Sequence, residues 1–148
     1  MGSVILRVYA NNTWTIMFEI DELAAFEYRL VIEMAAAALA AQRRSVRDLE
    51  RMARKLDDLL GAQISTEFER SDLNFREAMG VASGNRYLLD AISSFNTQHA
   101  STTIETQQHI IEYQAIYQAI SSSDIEFARA AVHQQLIKWH NRSKDLSQ

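Results

Sequence analysis

The chain contains no cysteine and no proline, and only 4 of its 148 residues are glycine. Without cysteine there are no disulfides, no thiolate metal sites and no cysteine nucleophile. So few helix breakers favour an all-α fold, because proline removes a backbone donor and clashes with the preceding turn, while glycine in a helix carries an entropic cost. An excess of positive charge is also missing. The formal net charge is −4, whereas a nucleic-acid-binding surface needs a clustered positive field. The nearest candidate is Arg43, Arg44, Arg47, Arg51, Arg54 and Lys55, but Asp48, Glu50, Asp57 and Asp58 are interleaved with it. Mixed signs at that spacing read as a solvated helix face. Long apolar runs are absent too: the longest uncharged one, Met34 to Ala41, is far too short to cross a bilayer. Residues 4–18 contain Arg7, Asn11 and Asn12 and lack the ordered regions of a signal peptide. A cytoplasmic protein with no membrane partner is expected.

What remains is a single domain of ordinary composition, with 47% hydrophobic and 23% charged residues, long enough for a full-sized core. Residues 1–20 form a distinct leader. Val4, Ile5, Val8, Tyr9, Trp14, Thr15, Ile16 and Phe18 are β-branched, aromatic or aliphatic, and Asn11-Asn12 suits a turn. A short hairpin or an extended segment is expected there. Residues 21–148 read as an antiparallel bundle of about six helices. Asp21 caps the first, from about 22 to 42, with a stripe of Leu23, Phe26, Leu30, Met34, Ala37, Ala38 and Ala41. Ser45 with Asp48 resembles a capping box for the second, whose apolar face is Leu49, Met52, Ala53, Leu56, Leu59 and Leu60, ending at Gly61. A third spans 65–82, Ser83-Gly84-Asn85 breaks the chain, and a fourth carries Leu88, Leu89, Ile92 and Phe95. After a polar stretch at 96–103, a fifth covers about 104–120. Ser123 with Glu126 makes a second capping-box pattern before a last helix to about Lys144.

The informative positions are polar residues on apolar stripes. On the third helix the stripe reads Phe68, Asp72, Phe75, Met79, Ala82, with Arg76 one turn beyond Asp72. On the fifth, Tyr113 lies on the apolar stripe, and on the sixth Gln135 interrupts Ile125, Ala128, Val132 and Trp139. A buried polar group without a partner costs a few kcal/mol. Such groups therefore pair with one another or line a wet cavity, and periodicity leaves both readings open.

Residues 72–85, Asp-Leu-Asn-Phe-Arg-Glu-Ala-Met-Gly-Val-Ala-Ser-Gly-Asn, resemble a motif of the FCD domain, the effector-binding domain of the FadR-type branch of GntR transcription regulators. The family pattern is Asp, then Phe-His three residues on, then Ala-Ser-Gly-Asn. Asp72, Phe75 and Ala82-Ser83-Gly84-Asn85 fall in that register. Arg29 and Glu33 before the alanine-rich stretch to Ala41 look like the family's first sensing helix, and Glu112 to Ala131 resembles its closing segment. The resemblance covers roughly residues 22–142. It implies a small organic-acid effector inside the bundle, a homodimer, and allosteric control of a winged-helix DNA-binding domain that is not complete in this chain. Residues 1–20 would then be a remnant of the wing or linker. Many members also bind a divalent metal through one Asp and three His. Here Asp72 matches, but Arg76, Tyr113 and Gln135 stand at the three histidine positions, so no metal cofactor is expected. These departures lead to a different expectation: Arg76 supplies the positive charge directly and grips a carboxylate, Asp72 orients it, and Tyr113 and Gln135 bond the rest of the ligand, with Arg29 and Asn85 on the pocket wall. His99, His109, His133 and His140 are expected at the surface or rim.

Catalysis is not expected. The bundle lacks Glu-x-x-His pairs for a di-iron site, any nucleophile motif and any phosphate-cradling glycine loop. The competing function is a helical dimerisation or interaction module with no small-molecule ligand; a filled core would favour it, an internal pocket the sensor.

Overall fold

The computed structural model describes residues 13–95 and 103–146, with side chains described for 21–95 and 108–145. Among the described residues it is an all-α bundle of six helices: α1 (Thr13–Arg43), α2 (Val46–Gly61), α3 (Ser65–Ala82), α4 (Arg86–Ser93), α5 (Thr103–Ser121) and α6 (Ile125–Leu146). Helix α1 is the spine, packing against α3, α4, α5 and α6, while α2 lies on α3 and α5. Its alanines explain that position. Ala36, Ala37, Ala38, Ala40 and Ala41 are all buried, and with no side chain beyond Cβ they let several helices approach one axis. Met52, Leu56 and Leu59 from α2, Phe68, Phe75 and Met79 from α3, Ile116 and Ile120 from α5, and Val132 and Leu136 from α6 fill the space around it.

Most helix ends carry the expected chemistry. Ser45 Oγ accepts from the Asp48 amide while the Asp48 carboxylate accepts from the Ser45 amide, a reciprocal capping box. Helix α3 closes on Gly84, whose φ of 66° suits the left-handed turn that glycine adopts without a Cβ penalty. Two arginines at the end of α1 tie other helix termini to it. Arg43 donates to the Ser83 carbonyl at 3.1 Å, and Arg44 donates to the Ile120 and Ser121 carbonyls at 3.1 and 2.9 Å. Those carbonyls belong to the last turns of α3 and α5, which have no partner within their own helix.

Four expectations are corrected. Helix α1 starts at Thr13, so residues 13–20 are helical and not β-like; residues 1–12 lie outside the described residues. Extending an existing helix adds one hydrogen bond per residue fixed, whereas a hairpin must find partners of its own. The second correction is Leu23, which is 46% exposed. Leu60, 48% exposed, is the third. Each flanks the buried stripe of its helix and faces outward. The last is the cap of α6: Asp124 Oδ1 accepts from the Phe127 amide, and Ser123 takes the turn itself with a positive φ of 57°.

Candidate functional site

Four helices bring their polar interruptions to one buried point. Asp72 and Arg76 are four residues apart on α3, hence on the same face. Arg76 Nε donates to Asp72 Oδ1 at 2.7 Å. Arg76 Nη1 donates to Glu33 Oε1 on α1 at 2.5 Å. Arg76 Nη2 donates to the Tyr113 hydroxyl on α5 at 3.1 Å and to Gln135 Oε1 on α6 at 3.0 Å. Glu33 also accepts from Arg29 Nε through its second oxygen, Oε2, at 2.6 Å. Glu33 and Asp72 are 0% exposed, Gln135 2%, Arg76 4% and Arg29 5%. Two arginines thus face two carboxylates, and the formal charges of the quartet cancel.

Burial opposes the charge on Arg76, but the Asp72 and Glu33 carboxylates outweigh it and hold its pKa above the ordinary arginine value. Aromatic rings enclose the quartet. The Arg76 guanidinium lies 5.4 Å from the Tyr113 ring centroid, and that of Arg29 lies 5.2 Å from Trp139 and 5.9 Å from Phe95. Phe75 and Tyr113 meet edge to face at 5.1 Å.

Beside the guanidinium is a void of about 10 Å³, lined by Phe68, Arg76, His109, Tyr113, Gln135 and Trp139. That volume suits about one water molecule. Two buried side-chain atoms of the cluster make no hydrogen bond, Arg29 Nη2 and Gln135 Nε2. Both are donors; the amide of Gln135 is oriented by the bond its oxygen accepts from Arg76. A larger open groove of about 530 Å³, between α2 and α3 and lined by Asp57, Asp58, Glu67, Arg70 and Asn74 among others, shares no residue with the quartet.

Of the residues expected at the site, Asp72, Arg76, Tyr113 and Gln135 converge directly, and Arg29 joins them through Glu33. Asn85 takes no part in this network: its side-chain oxygen caps α4, accepting from the Tyr87 and Leu88 amides. Glu33 is the central residue the site expectation omitted. It could have been found by the same rule, since Phe26, Leu30, Glu33 and Ala37 keep the three-and-four spacing of the α1 stripe. His109, expected at the surface or rim, lines the void and is buried. It is 5% exposed and stacks on Phe68 at 5.5 Å. His133 is exposed, His140 is half-buried against Phe26 at 4.0 Å, and His99 lies outside the described residues.

The residues present do not fit the divalent metal implied by the family resemblance. A permanently charged guanidinium stands where the side chains converge, and its neighbours direct their oxygens at its N–H groups. Among the described residues no three His, Asp or Glu side chains gather as a metal-ligand set. None of the described helices is long and apolar enough to cross a membrane.

The family profile of the FCD domain matches residues 24–137. Among solved structures, E. coli McbR/YncC is similar, with a TM-score of 0.69 and 20% sequence identity over 80% of this chain. The match spans 65% of the McbR/YncC chain. A search of curated proteins finds no match.

Proposed function

The chain belongs to the FCD domain family, the helical regulatory domain of GntR-type regulators, and from that premise we propose that it senses a small organic acid at the buried Arg76 centre. In this reading the domain acts in the cytoplasm as a homodimer and is regulatory rather than catalytic. The bound acid controls DNA binding by a winged-helix domain. No divalent metal takes part, because Arg76 supplies the positive charge that a metal would otherwise bring.

One observation carries the ligand class. The buried atoms left without a hydrogen bond at this centre, Arg29 Nη2 and Gln135 Nε2, are both donors. An unmet buried donor costs about 1–3 kcal/mol, so the group that settles there is an acceptor, and a carboxylate offers the most acceptor capacity in the least volume. A void of about 10 Å³ cannot hold an organic acid while the helices stay as they are. Binding must favour a second arrangement with more room, and that differential affinity is what an allosteric domain requires.

A ligand-free dimerisation module is the second reading, and the smallness of the same void favours it. A thermal-shift screen of small organic acids, with their neutral amides as controls, separates the two. The sensor reading expects at least one acid to raise the melting temperature progressively with concentration, its amide to fail, and the shift to persist in EDTA. No response to any acid would leave the dimerisation module, and a shift abolished by EDTA would restore a metal.

A further inference from the structure

Each nitrogen of the Arg76 guanidinium already has a partner. Of its five N–H donors, Nε–H points to Asp72, one on Nη1 to Glu33, and two on Nη2 to Tyr113 and Gln135. A single N–H on Nη1 remains. An incoming carboxylate at Nη1 meets the Glu33 carboxylate already bonded there, and two anions at one nitrogen repel each other, so the resident anion must give way.

The resident partners are not equally easy to move. Asp72 is held one turn from Arg76 on the same helix and is ion-paired to it. Tyr113 and Gln135 are neutral and do not repel an incoming anion. Glu33 differs because it bridges two cations. It already accepts from Arg29 Nε through Oε2. The Nη2 group on the same edge of Arg29 is buried and makes no hydrogen bond. If Glu33 Oε1 leaves Arg76 and turns to Arg29 Nη2, the Arg29–Glu33 pair becomes bidentate. One unmet donor is satisfied, and Glu33 remains ion-paired.

We propose that Glu33 is a two-position carboxylate switch: it bridges Arg29 and Arg76 in the empty domain, and it moves wholly onto Arg29 when an effector carboxylate takes Arg76 Nη1. This rests on the sensor reading above and adds the step by which binding is communicated. The Glu33–Arg76 bond ties α1 to α3, whereas the Arg29–Glu33 pair lies within α1. The effector therefore exchanges an interhelical cross-link for an intrahelical one and loosens the hold of α1 on the middle of α3, while Arg43 keeps its bond to the Ser83 carbonyl. In this proposal Gln135 Nε2, the other unmet donor, bonds the second oxygen of the acid.

The test uses acetate as the probe, acetamide as its neutral control, and calorimetry on the whole chain. In Glu33→Gln the competitor loses its charge. In Glu33→Asp the charge stays near Arg29 on the same helix, but the shorter side chain withdraws from α3. Both variants are expected to bind acetate at least about tenfold more tightly than wild type, the scale of one charged hydrogen bond, with acetamide unaffected. A residue that merely positions Arg76 would give the opposite result, weaker binding in both. The second measurement needs no variant: nitrogen NMR of the arginine side chains in wild type. Acetate is expected to move the Arg29 Nη2 and Arg76 Nη1 signals with a common midpoint. Unchanged or weaker acetate binding in the variants, or movement of Arg76 without Arg29, overturns the switch while leaving the sensor intact. If neither acetate nor any acid of the screen perturbs Arg76 in any form, the sensor reading falls and the switch with it.

Discussion

A guanidinium enclosed by two carboxylates, a phenol and an amide is costly to take apart. Removing one partner of a buried ion pair destabilises by about 3–5 kcal/mol, because the other charge is left without compensation. Arg76 touches two such charges. Truncation to alanine would therefore damage folding and binding together, and lysine is the informative replacement: it keeps the charge but loses the planar fork. A separate prediction at this scale concerns His140. Its ring stacks on Phe26 at 4.0 Å, and burial first, then the charge of Lys144, lower its pKa below the ordinary 6.5, with Glu22 opposing. The folded state thus disfavours the protonated ring. The contribution is fully favourable above the unfolded value near 6.5 and is lost as pH falls from there through the lower folded value. His140→Phe keeps an aromatic ring on Phe26 and cannot titrate. The fall in melting temperature between pH 7.5 and pH 5 is expected to be smaller in this variant than in wild type; an equal fall would show that His140 does not contribute. The residue scale is also where sequence was most informative about the site. Asp72, Tyr113 and Gln135 were legible because each stands on an apolar stripe, and Arg76 because it lies one turn from Asp72 at a histidine position of the family motif. Glu33 stands on such a stripe too, yet periodicity cannot say that its carboxylate reaches across to α3. The burial of His109 was not legible because an imidazole suits a surface and an aromatic stack equally well, and the Phe68 ring that it stacks on comes from another helix.

Close approach between elements depends on single atoms. A Cβ added at Gly80 on α3 would meet Leu89 Cδ1 at 3.1 Å, Leu89 Cα at 3.2 Å and Ile92 Cδ1 at 3.3 Å, all on α4. The α-carbon of Leu89 is part of the backbone and cannot rotate away, so α4 must shift as a body. At Gly61, the last residue of α2, nothing lies within 4 Å of the added atom. Gly80→Ala is expected to destabilise by about 1–3 kcal/mol through overpacking. Gly61→Ala should be neutral or stabilise by up to about 1 kcal/mol through the unfolded chain. Urea unfolding of both variants checks the pair; a stabilised Gly80→Ala would mean that α4 moves freely against α3. Helix boundaries were largely legible from such local chemistry. Ser45 with Asp48, and Gly84 after Ala82, ended or began helices where expected. The failures differ in cause: at Thr13–Ile20 a β-like preference gave way to extension of α1, and at Ser123-Asp124 the adjacent aspartate took the capping role in place of the serine.

Across the described residues, α1 packs against every other helix except α2. It carries Glu33 and Arg29 at the charged quartet, the buried alanines at its middle, and Arg43 and Arg44 at its end, which hold the last carbonyls of α3 and α5. A change at the quartet is therefore a change in how α1 holds its neighbours. What sequence could not supply was the volume at the centre: a stripe of polar positions is the same whether the groups surround a ligand or one another, and here an arginine side chain occupies most of the space they surround. The sensor reading stands on Arg76 as the group that recognises the effector. Its most direct test is a calorimetric titration of an acid found active in the thermal screen against wild type and Arg76→Lys, each first shown to be folded. Binding is predicted to be at least about tenfold weaker in Arg76→Lys, as expected when a charged, paired hydrogen bond is lost. Equal affinity in the two proteins would contradict it.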